Sequence, residues 1–365
     1  MLAESHPPKA DFFAFMNVLS LFNGMNTLRQ ALENVGFKVD KYYSSEIKSY
    51  AVELTQHHFP DTIQVGDINN WKQWNIDWKT IDFIGSGSPC QDLSAAGKRA
   101  GINGSRSSLF FVFIDILNHV KSLNPDVIFL QENVGSAPKL DVGIMSRALG
   151  VYPVRINSSL VTAQLRDRYY WTNIKTKQTL FDTVSDIPQP KDLNIKFKDI
   201  IDNGNTNDEK SLCILEGYYS KAYNPEKRQD KLIDRYKMGM QQIVFVEDDK
   251  IIVKTNTVKG FDIVTENDCL NLSFPTSRTR RGRVTKGKAP CLLQGNEPLY
   301  TIKGLKARLL NKQELCKLQG FDKNYCDILT RNKAGSLLGD GWTLPIIEHI
   351  LKYINTNTML NFKNS

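Results

Sequence analysis

The sequence is short of the features that mark several special architectures. Its six cysteines, Cys90, Cys213, Cys269, Cys291, Cys316 and Cys326, are scattered. None forms a CxxC pair and no histidine cluster lies beside them, so no zinc site is expected. No uninterrupted apolar run approaches the roughly 18 residues of a membrane helix, so no membrane partner is expected. The start, MLAESHPPKADFF, lacks a charged stretch followed by an apolar one, and no secretory signal is read there. The default expectation is a cytoplasmic chain with reduced thiols. Internal repeats and long low-complexity segments are also missing.

What is present is ordinary in amount and uneven in distribution. At 365 residues the chain has room for a large core and a second lobe. Its 47 basic and 39 acidic side chains leave a net charge of +8, compatible with a polyanionic partner but not diagnostic of one. One segment, RTRRGRVTKGK at 278–288, contains no acid and holds Arg278, Arg280, Arg281, Arg283, Lys286 and Lys288. It reads equally as a solvated loop or as a segment whose glycines let a cationic backbone approach nucleic-acid phosphates.

The first half alternates strand and helix patterns. FMNVLSLFNG (15–24) is an apolar strand, MNTLRQALENVG (25–36) a helix closed by Gly36, and KVDKYYSSEI (38–47) a strand ending on Glu46. A helix at 51–60 stops at Pro60, and TIDFIGSGSP (80–89) is a strand opening into a loop. A long helix over 105–123 precedes PDVIFLQENV (125–134), a buried-type strand ending in Glu132-Asn133. This alternation predicts a doubly wound, mostly parallel α/β sheet, with ligands at the carboxyl ends of its strands. From 176 to 295 the alternation fades into a smaller, irregular lobe that includes a strand-like stretch, IVFVEDDKIIVK (243–254). After it, 306–321 reads as a helix with Asn311 as a candidate cap, and 334–354 as a Gly-rich turn leading into an amphipathic helix.

Six motifs then stand in order: FNG (22–24), SPCQDLS (88–94), QENV (131–134), QLRDRYYWTN (164–173), LQGF (318–321) and GDGWTLPI (339–346). The series resembles the DNA cytosine-5 methyltransferases, over about residues 15–174 and 275–352, and is similar to the animal de novo enzymes and to phage or prokaryotic relatives. The resemblance implies a Rossmann-like catalytic domain at 12–175 and 296–356 and a target-recognition domain at 176–295. It implies S-adenosylmethionine as methyl donor and double-stranded DNA as partner, in a bacterial or phage-infected cell, with a restriction-modification or phage role and a monomer favoured.

The resemblance also assigns roles. Cys90 would add as thiolate to carbon 6 of a cytosine flipped out of the helix, which makes carbon 5 nucleophilic. Glu132 would hydrogen-bond N3 and the exocyclic amine. Arg166 would hold the base carbonyl and orient Glu132 through a bidentate pair. Arg168, two residues along a strand, would support the Cys90 loop or a phosphate. For the donor, Phe22 would pack on the adenine or sulfonium end, with Gly24, Met25, Asn26 and Thr27 framing the methionine portion. Glu46 would bind the ribose hydroxyls, Asp67 and Ile68 would reach the adenine, and Asp340 and Trp342 would close the site. Asp340 stands where the family often has Asn. The loop at 94–106, rich in small residues, would close over the flipped base, and Arg278, Arg280, Arg281 and Arg283 would meet DNA.

Two other functions fit part of this pattern. One is a catalytically silent DNA-binding relative, against which the joint presence of Cys90, Glu132 and Arg166 counts. The other is an enzyme acting on a free pyrimidine nucleotide through the same thiolate addition; the basic 278–288 segment and the middle lobe favour a polymer. Trp71, Trp74 and Trp78, at near-helical spacing, are expected to pack, as are the cysteines other than Cys90.

Overall fold

The structure is a computed structural model. It describes residues 15–89, 109–206, 208–216, 229–247, 251–254, 258, 260–264, 268–271, 284–285, 299–301 and 305–355. The chain divides into two compact units: Met1–Val161 with Asp167–Asp192 and Gly341–Ser365, and Thr162–Arg166 with Leu193–Asp340.

The first unit is built on seven strands: β1 (Phe15–Leu21), β2 (Lys38–Ser45), β3 (Ile63–Gln64), β4 (Phe83–Ser86), β5 (Ile128–Val134), β6 (Val154–Asn157) and β7 (Asp167–Thr172). They lie in the order β3-β2-β1-β4-β5-β7-β6, and β7 alone runs against the rest. β1 lies between β2 and β4 and is buried on both faces, which is why Met16, Val18, Leu19 and Leu21 read as an almost continuous apolar run. Helices join the successive parallel strands. They are α1 (Thr27–Val35), α2 (Ser49–His58), α3 (Leu109–Leu123) and α4 (Lys139–Leu149). α1 ends where Gly36 takes a left-handed φ of 101° and its N–H reaches the Leu32 and Glu33 carbonyls. A hairpin of β8 (Thr176–Gln178) and β9 (Thr183–Ser185) follows β7.

The core of this unit joins Leu19, Leu21 and Ile84 of the sheet to Phe110, Phe113 and Leu117 of α3, with Phe129 and Trp171 beyond. The Trp171 indole donates to Ser146 Oγ at 2.9 Å, so the largest buried ring has its polar atom satisfied. Trp71, Trp74 and Trp78 pack against the same core from short 3-10 turns.

The strand order reverses between β1 and β4, each of which continues away from the other. Such a switch point leaves a crevice at the carboxyl ends of the parallel strands. The segments issuing there are 22–26 after β1, 46–48 after β2, 65–67 after β3 and 87–89 after β4.

The second unit holds α5 (Gln229–Lys237), α6 (Lys312–Leu318) and α7 (Arg331–Asp340) with short antiparallel pairings. Val244–Glu247 pairs with Leu305–Arg308, Ile251–Lys254 with Phe261–Val264, and Cys269–Asn271 lies between Val284–Thr285 and Leu299–Thr301. Asn311 caps α6 as expected: its Oδ1 accepts the Glu314 N–H and its own N–H donates to Glu314 Oε2, both at 2.8 Å. The buried Glu314 carboxylate is neutralised by Arg308 at 2.7 Å. Cys316 and Cys326 are free thiols and fully buried, and the Cys326 thiol is pushed up by its hydrogen bond with the Cys316 sulfur and by burial. After α7 the chain returns to the first unit as α8 (Leu344–Leu351), which packs on α1 and begins with Pro345 in its first turn.

Four expectations change. The 306–321 segment is not one helix: Leu305–Arg308 is a strand, and α6 begins only after the Asn311 cap. The AGSLLGDG stretch is the body of α7, not a turn, and Gly339 is there for close approach, since a Cβ would lie 2.5 Å from the Glu216 backbone nitrogen. The strand-like IVFVEDDKIIVK is two strands belonging to different pairings. The division of the chain also departs from boundaries at 175/176 and 295/296: residues 176–192 belong to the first unit and 296–340 to the second. The latter is tied there by Lys317 to Asp202 at 2.6 Å and by the Gln164 amide to the Leu318 carbonyl at 3.2 Å. No helix among the described residues is long and apolar enough to cross a membrane.

Candidate active site

The loop after β1 is held in an unusual backbone. Phe22, Gly24 and Asn26 all take left-handed φ, at 56°, 57° and 64°. That lets the chain turn from the strand into α1 within five residues. The Gly24 N–H points at Glu46 Oε2, 2.8 Å away. The other oxygen of Glu46 accepts the N–H groups of Ile47 and Lys48 at 2.7 and 2.8 Å. A carboxylate has about four acceptor sites, so Glu46 is fixed by three backbone donors and keeps capacity for a further hydroxyl. The carboxylate is half-buried, and beside it Ile47 is 77% exposed.

At the end of β3, the Ser45 hydroxyl donates to the Gly66 carbonyl at 2.7 Å and fixes the approach to Asp67. Asp67 is exposed and its Oδ1 accepts both the backbone and side-chain N–H of Asn69 at 2.9 Å, which leaves Oδ2 outward as an acceptor. Ile68, Met25, Asn26 and Thr27 are buried, so any contact they make with a small ligand goes through the backbone. The arrangement fits a nucleoside with a ribose diol and an amino group on its base. The sheet supplies acceptors at two strand ends, a glycine at 24 whose Cβ position, among the described residues, meets only the Phe22 carbonyl within 4 Å, and a half-buried ring at Phe22.

β4 ends against Trp342. A Cβ on Gly87 would lie 2.8 Å from the indole Nε1, and one on Gly85 would meet Leu28 Cδ2 at 2.5 Å and Trp342 Cη2 at 3.5 Å. The glycines are therefore required by the tryptophan and leucine that pack on the strand end. Ser88, the next residue, is tied to β5: its Oγ accepts the Gln131 amide at 2.9 Å, and the Asn133 amide reaches its Oγ and carbonyl at 3.5 Å. Gln131 also donates to the Glu132 carbonyl at 2.7 Å. These amides anchor the segment that leads into Pro89 and Cys90. Sequence reasoning quoted QENV without giving Gln131 a role; the signal was an amide on either side of the acid.

Glu132 and Arg168 form an ion pair, with Arg168 Nε 2.8 Å from Glu132 Oε1. The register of β5 and β7 causes it. Val134 lies opposite Arg168 and Glu132 opposite Tyr170, so the acid and the guanidinium are diagonal neighbours on one face. Where the sequence expectation placed Arg166 on Glu132, the structure pairs it with Arg168. Arg166 belongs to the second unit. There its two terminal nitrogens bond the Gly339 carbonyl at 3.1 Å, and Nη1 also reaches the Ile214 carbonyl and Cys213 Sγ at 3.4 Å. Gly339 is near the C-terminus of α7, where a cation complements the helix dipole. Gln164, two residues earlier, accepts the Ile214 N–H and donates to Leu318 in the same unit. Asp340, exposed at the end of α7, is also in the second unit.

Cys90, the 94–106 loop, and Arg278, Arg280, Arg281 and Arg283 lie outside the described residues. Of the remaining expected site residues, Phe22, Gly24, Met25, Asn26, Thr27, Glu46, Asp67, Ile68, Glu132, Arg168 and Trp342 all belong to the first unit.

Comparison with known proteins follows the same lines. Residues 16–356 match the family described as C-5 cytosine-specific DNA methylase. A Type II methyltransferase of Haemophilus parainfluenzae, M.HpaII, is 30% identical over 94% of this chain and 90% of its own. The orphan methyltransferase M.SPRI of Bacillus phage SPR is 30% identical over 52% of this chain and 43% of its own length, and M.Rho11sI of Bacillus phage rho11s is 30% identical over 63% and 50%. The chain thus spans about half or less of those two phage relatives. Among solved structures, the Entamoeba histolytica methyltransferase EhMeth superposes with a TM-score of 0.53 at 17% identity, covering 94% of this chain and 98% of its own. The Dnmt2 methyltransferase of S. pombe gives 0.53 at 12% identity over 94% and 99%. The fold is the Rossmann-like α/β methyltransferase fold with an additional lobe, and the chain belongs to the C-5 cytosine-specific DNA methylase family.

Proposed function

We propose that the protein transfers a methyl group to carbon 5 of a flipped-out cytosine in double-stranded DNA, with S-adenosylmethionine as donor. The observation that carries this reading is the Glu132–Arg168 pair at the end of β5, beside a Ser88 anchor that leads directly into Pro89-Cys90. Acid, guanidinium and the segment 87–89 that precedes Cys90 in sequence thus lie at neighbouring strands of one sheet. The relatives are Type II methyltransferases and orphan phage methyltransferases, which supports DNA modification in a bacterial or phage setting.

Each residue has a chemical task in this scheme. The Cys90 thiolate adds to carbon 6 of the cytosine, forming a carbon–sulfur bond and driving the ring electrons toward carbon 5. Glu132 accepts from the exocyclic amine and shares a proton with N3, where charge builds up during attack, and Arg168 aims its carboxyl group. By the family resemblance Arg166 would bond the base carbonyl. Glu46 accepts from the donor's ribose, Asp67 accepts from its base, and Phe22 packs beside them. S-adenosylmethionine would supply an electrophilic methyl on a sulfonium; carbon 5 would bond that methyl, and the sulfur would keep the electron pair of the broken bond and leave as the neutral thioether of S-adenosylhomocysteine. A base then removes the carbon 5 proton, and Cys90 leaves with the electron pair of its carbon–sulfur bond to restore the aromatic ring.

A duplex carrying 5-fluorocytosine at the target tests the covalent step. Fluorine cannot leave as the proton does, so the wild-type protein should be trapped on the DNA as an adduct resistant to denaturant, and Cys90→Ser should not. Methyl transfer by wild-type enzyme without any adduct would overturn attack by Cys90.

A further inference from the structure

The left-handed loop of residues 22–26 has a cause beneath it. Asn23 is 8% exposed, and its side chain is held on both sides. Its Oδ1 accepts the Tyr42 hydroxyl at 2.9 Å, and its Nδ2 donates to Thr55 Oγ1 at 3.3 Å. Its backbone is committed too: the N–H donates to the Ser45 carbonyl at 3.2 Å, and the carbonyl accepts the Asn26 N–H at 3.0 Å. One residue therefore ties the end of β1 to β2 and to α2.

We propose that Asn23 is a positioning residue for the donor site, its buried amide fixing the left-handed turn that presents the Gly24 N–H to Glu46. This rests on the donor site assigned above. Non-glycine residues avoid left-handed φ, and both Phe22 and Asn26 adopt it. Such a backbone persists only where its surroundings over-determine it. The surroundings here are a short buried network with no freedom of its own. Tyr42 is fully buried, and its ring is covered by the Arg29 guanidinium at 5.6 Å, which also lies over Phe59 at 5.3 Å. Glu33 and Asp61 hold that guanidinium at 2.7 and 2.9 Å. Burial keeps the Tyr42 phenol well above its ordinary range, so its proton stays available for Asn23. Gly24 is the next residue, so movement of Asn23 displaces the donor to Glu46 directly, and Glu46 loses one of three bonds that aim its carboxylate.

The test uses residues that lie beneath the loop, away from the ligand. Thr55→Val removes the acceptor and keeps the shape, Thr55→Ser restores it, and Tyr42→Phe removes only the hydroxyl. Binding of S-adenosylhomocysteine and of a duplex oligonucleotide would be measured by calorimetry, together with donor KM, kcat and the thermal midpoint. Thr55→Val and Tyr42→Phe should each weaken S-adenosylhomocysteine about ten-fold and raise donor KM in parallel. Duplex affinity and kcat at saturating donor should stay within about two-fold, and Thr55→Ser should match the wild type. Unchanged S-adenosylhomocysteine affinity in both variants would overturn the inference, as would equal weakening of donor and duplex in line with a lowered thermal midpoint. If Tyr42→Phe does not fold, the Thr55→Val and Thr55→Ser pair decides alone. Failure of the wild type itself to bind S-adenosylhomocysteine would instead overturn the donor site and the inference with it.

Discussion

Arg168 and Glu132 meet across β7 and β5, Nε to Oε1 at 2.8 Å, with side chains only 12% and 10% exposed. A carboxylate so placed needs a fixed cation, and the antiparallel register supplies it from two residues along the partner strand. Removing one partner of a buried pair leaves the other charge without its closest counter-charge. Arg168→Met should therefore cost about 3–5 kcal/mol in urea unfolding. It should also lower methyl transfer by roughly 100-fold or more, on the scale seen when a transition-state partner is lost. Combining it with Glu132→Gln should recover most of the stability and none of the activity, which separates folding from chemistry in one double-mutant cycle.

Gly87 and Trp342 give a steric test. Gly87→Ala puts a methyl 2.8 Å from the indole Nε1, and Gly87 is not among the positive-φ glycines, so the clash and not the backbone decides. The expected cost is about 1–3 kcal/mol of stability. Methyl transfer should fall with it, because residues 87–89 lead into Cys90. Adding Trp342→Leu should relieve the stability loss, measured as a coupling in thermal midpoints.

Arg166 secures the C-terminal end of α7 through Gly339. Replacing it by Met removes charge-assisted hydrogen bonds and leaves a buried carbonyl without them, at a cost of about 1.5–3 kcal/mol. The loss should appear in hydrogen exchange of residues 335–340 before it appears in β1 or β4.

Asp202 provides a pH dependence. The Lys317 ammonium and the Asn311 amide bonded to it hold its carboxyl below the usual range. A carboxylate depressed in the folded state adds stability that is complete above its unfolded pKa of about 3.9 and is lost as pH falls through the lower folded value. Lys317→Met should flatten that part of the acid limb in urea titrations below about pH 4, and leave the curve near pH 7 parallel to the wild type.

What the sequence disclosed depended on how local the cause was. Gly36 as the stop of α1 and Asn311 as the cap of α6 are decided within four residues, and both were readable. The doubly wound sheet was readable because each strand carries its own apolar run and each helix its own stop. α7 was misread because Gly335 and Gly339 weaken helix propensity. The reason for Gly339 is the backbone of Glu216, more than a hundred positions away in sequence. Residues 305–308 were misread because pairing with Val244–Glu247 overrides a helical periodicity that carries on into α6. The partner of Glu132 depends on strand register: two-residue spacing in QLRDR cannot choose between the arginines, and the pairing of Val134 with Arg168 does. The Asn23 network was invisible for the same reason, being assembled from β1, β2 and α2.

The central claim is methylation of cytosine carbon 5 in duplex DNA, and nucleoside mass spectrometry tests it most directly. Purified protein, S-adenosylmethionine carrying a deuterated methyl and duplex DNA of mixed sequence would be incubated together and the DNA digested. The account requires labelled 5-methyldeoxycytidine from the wild type and none from Cys90→Ser. Label on N4 of cytosine or N6 of adenine, or labelled 5-methyldeoxycytidine at full yield from Cys90→Ser, would contradict it.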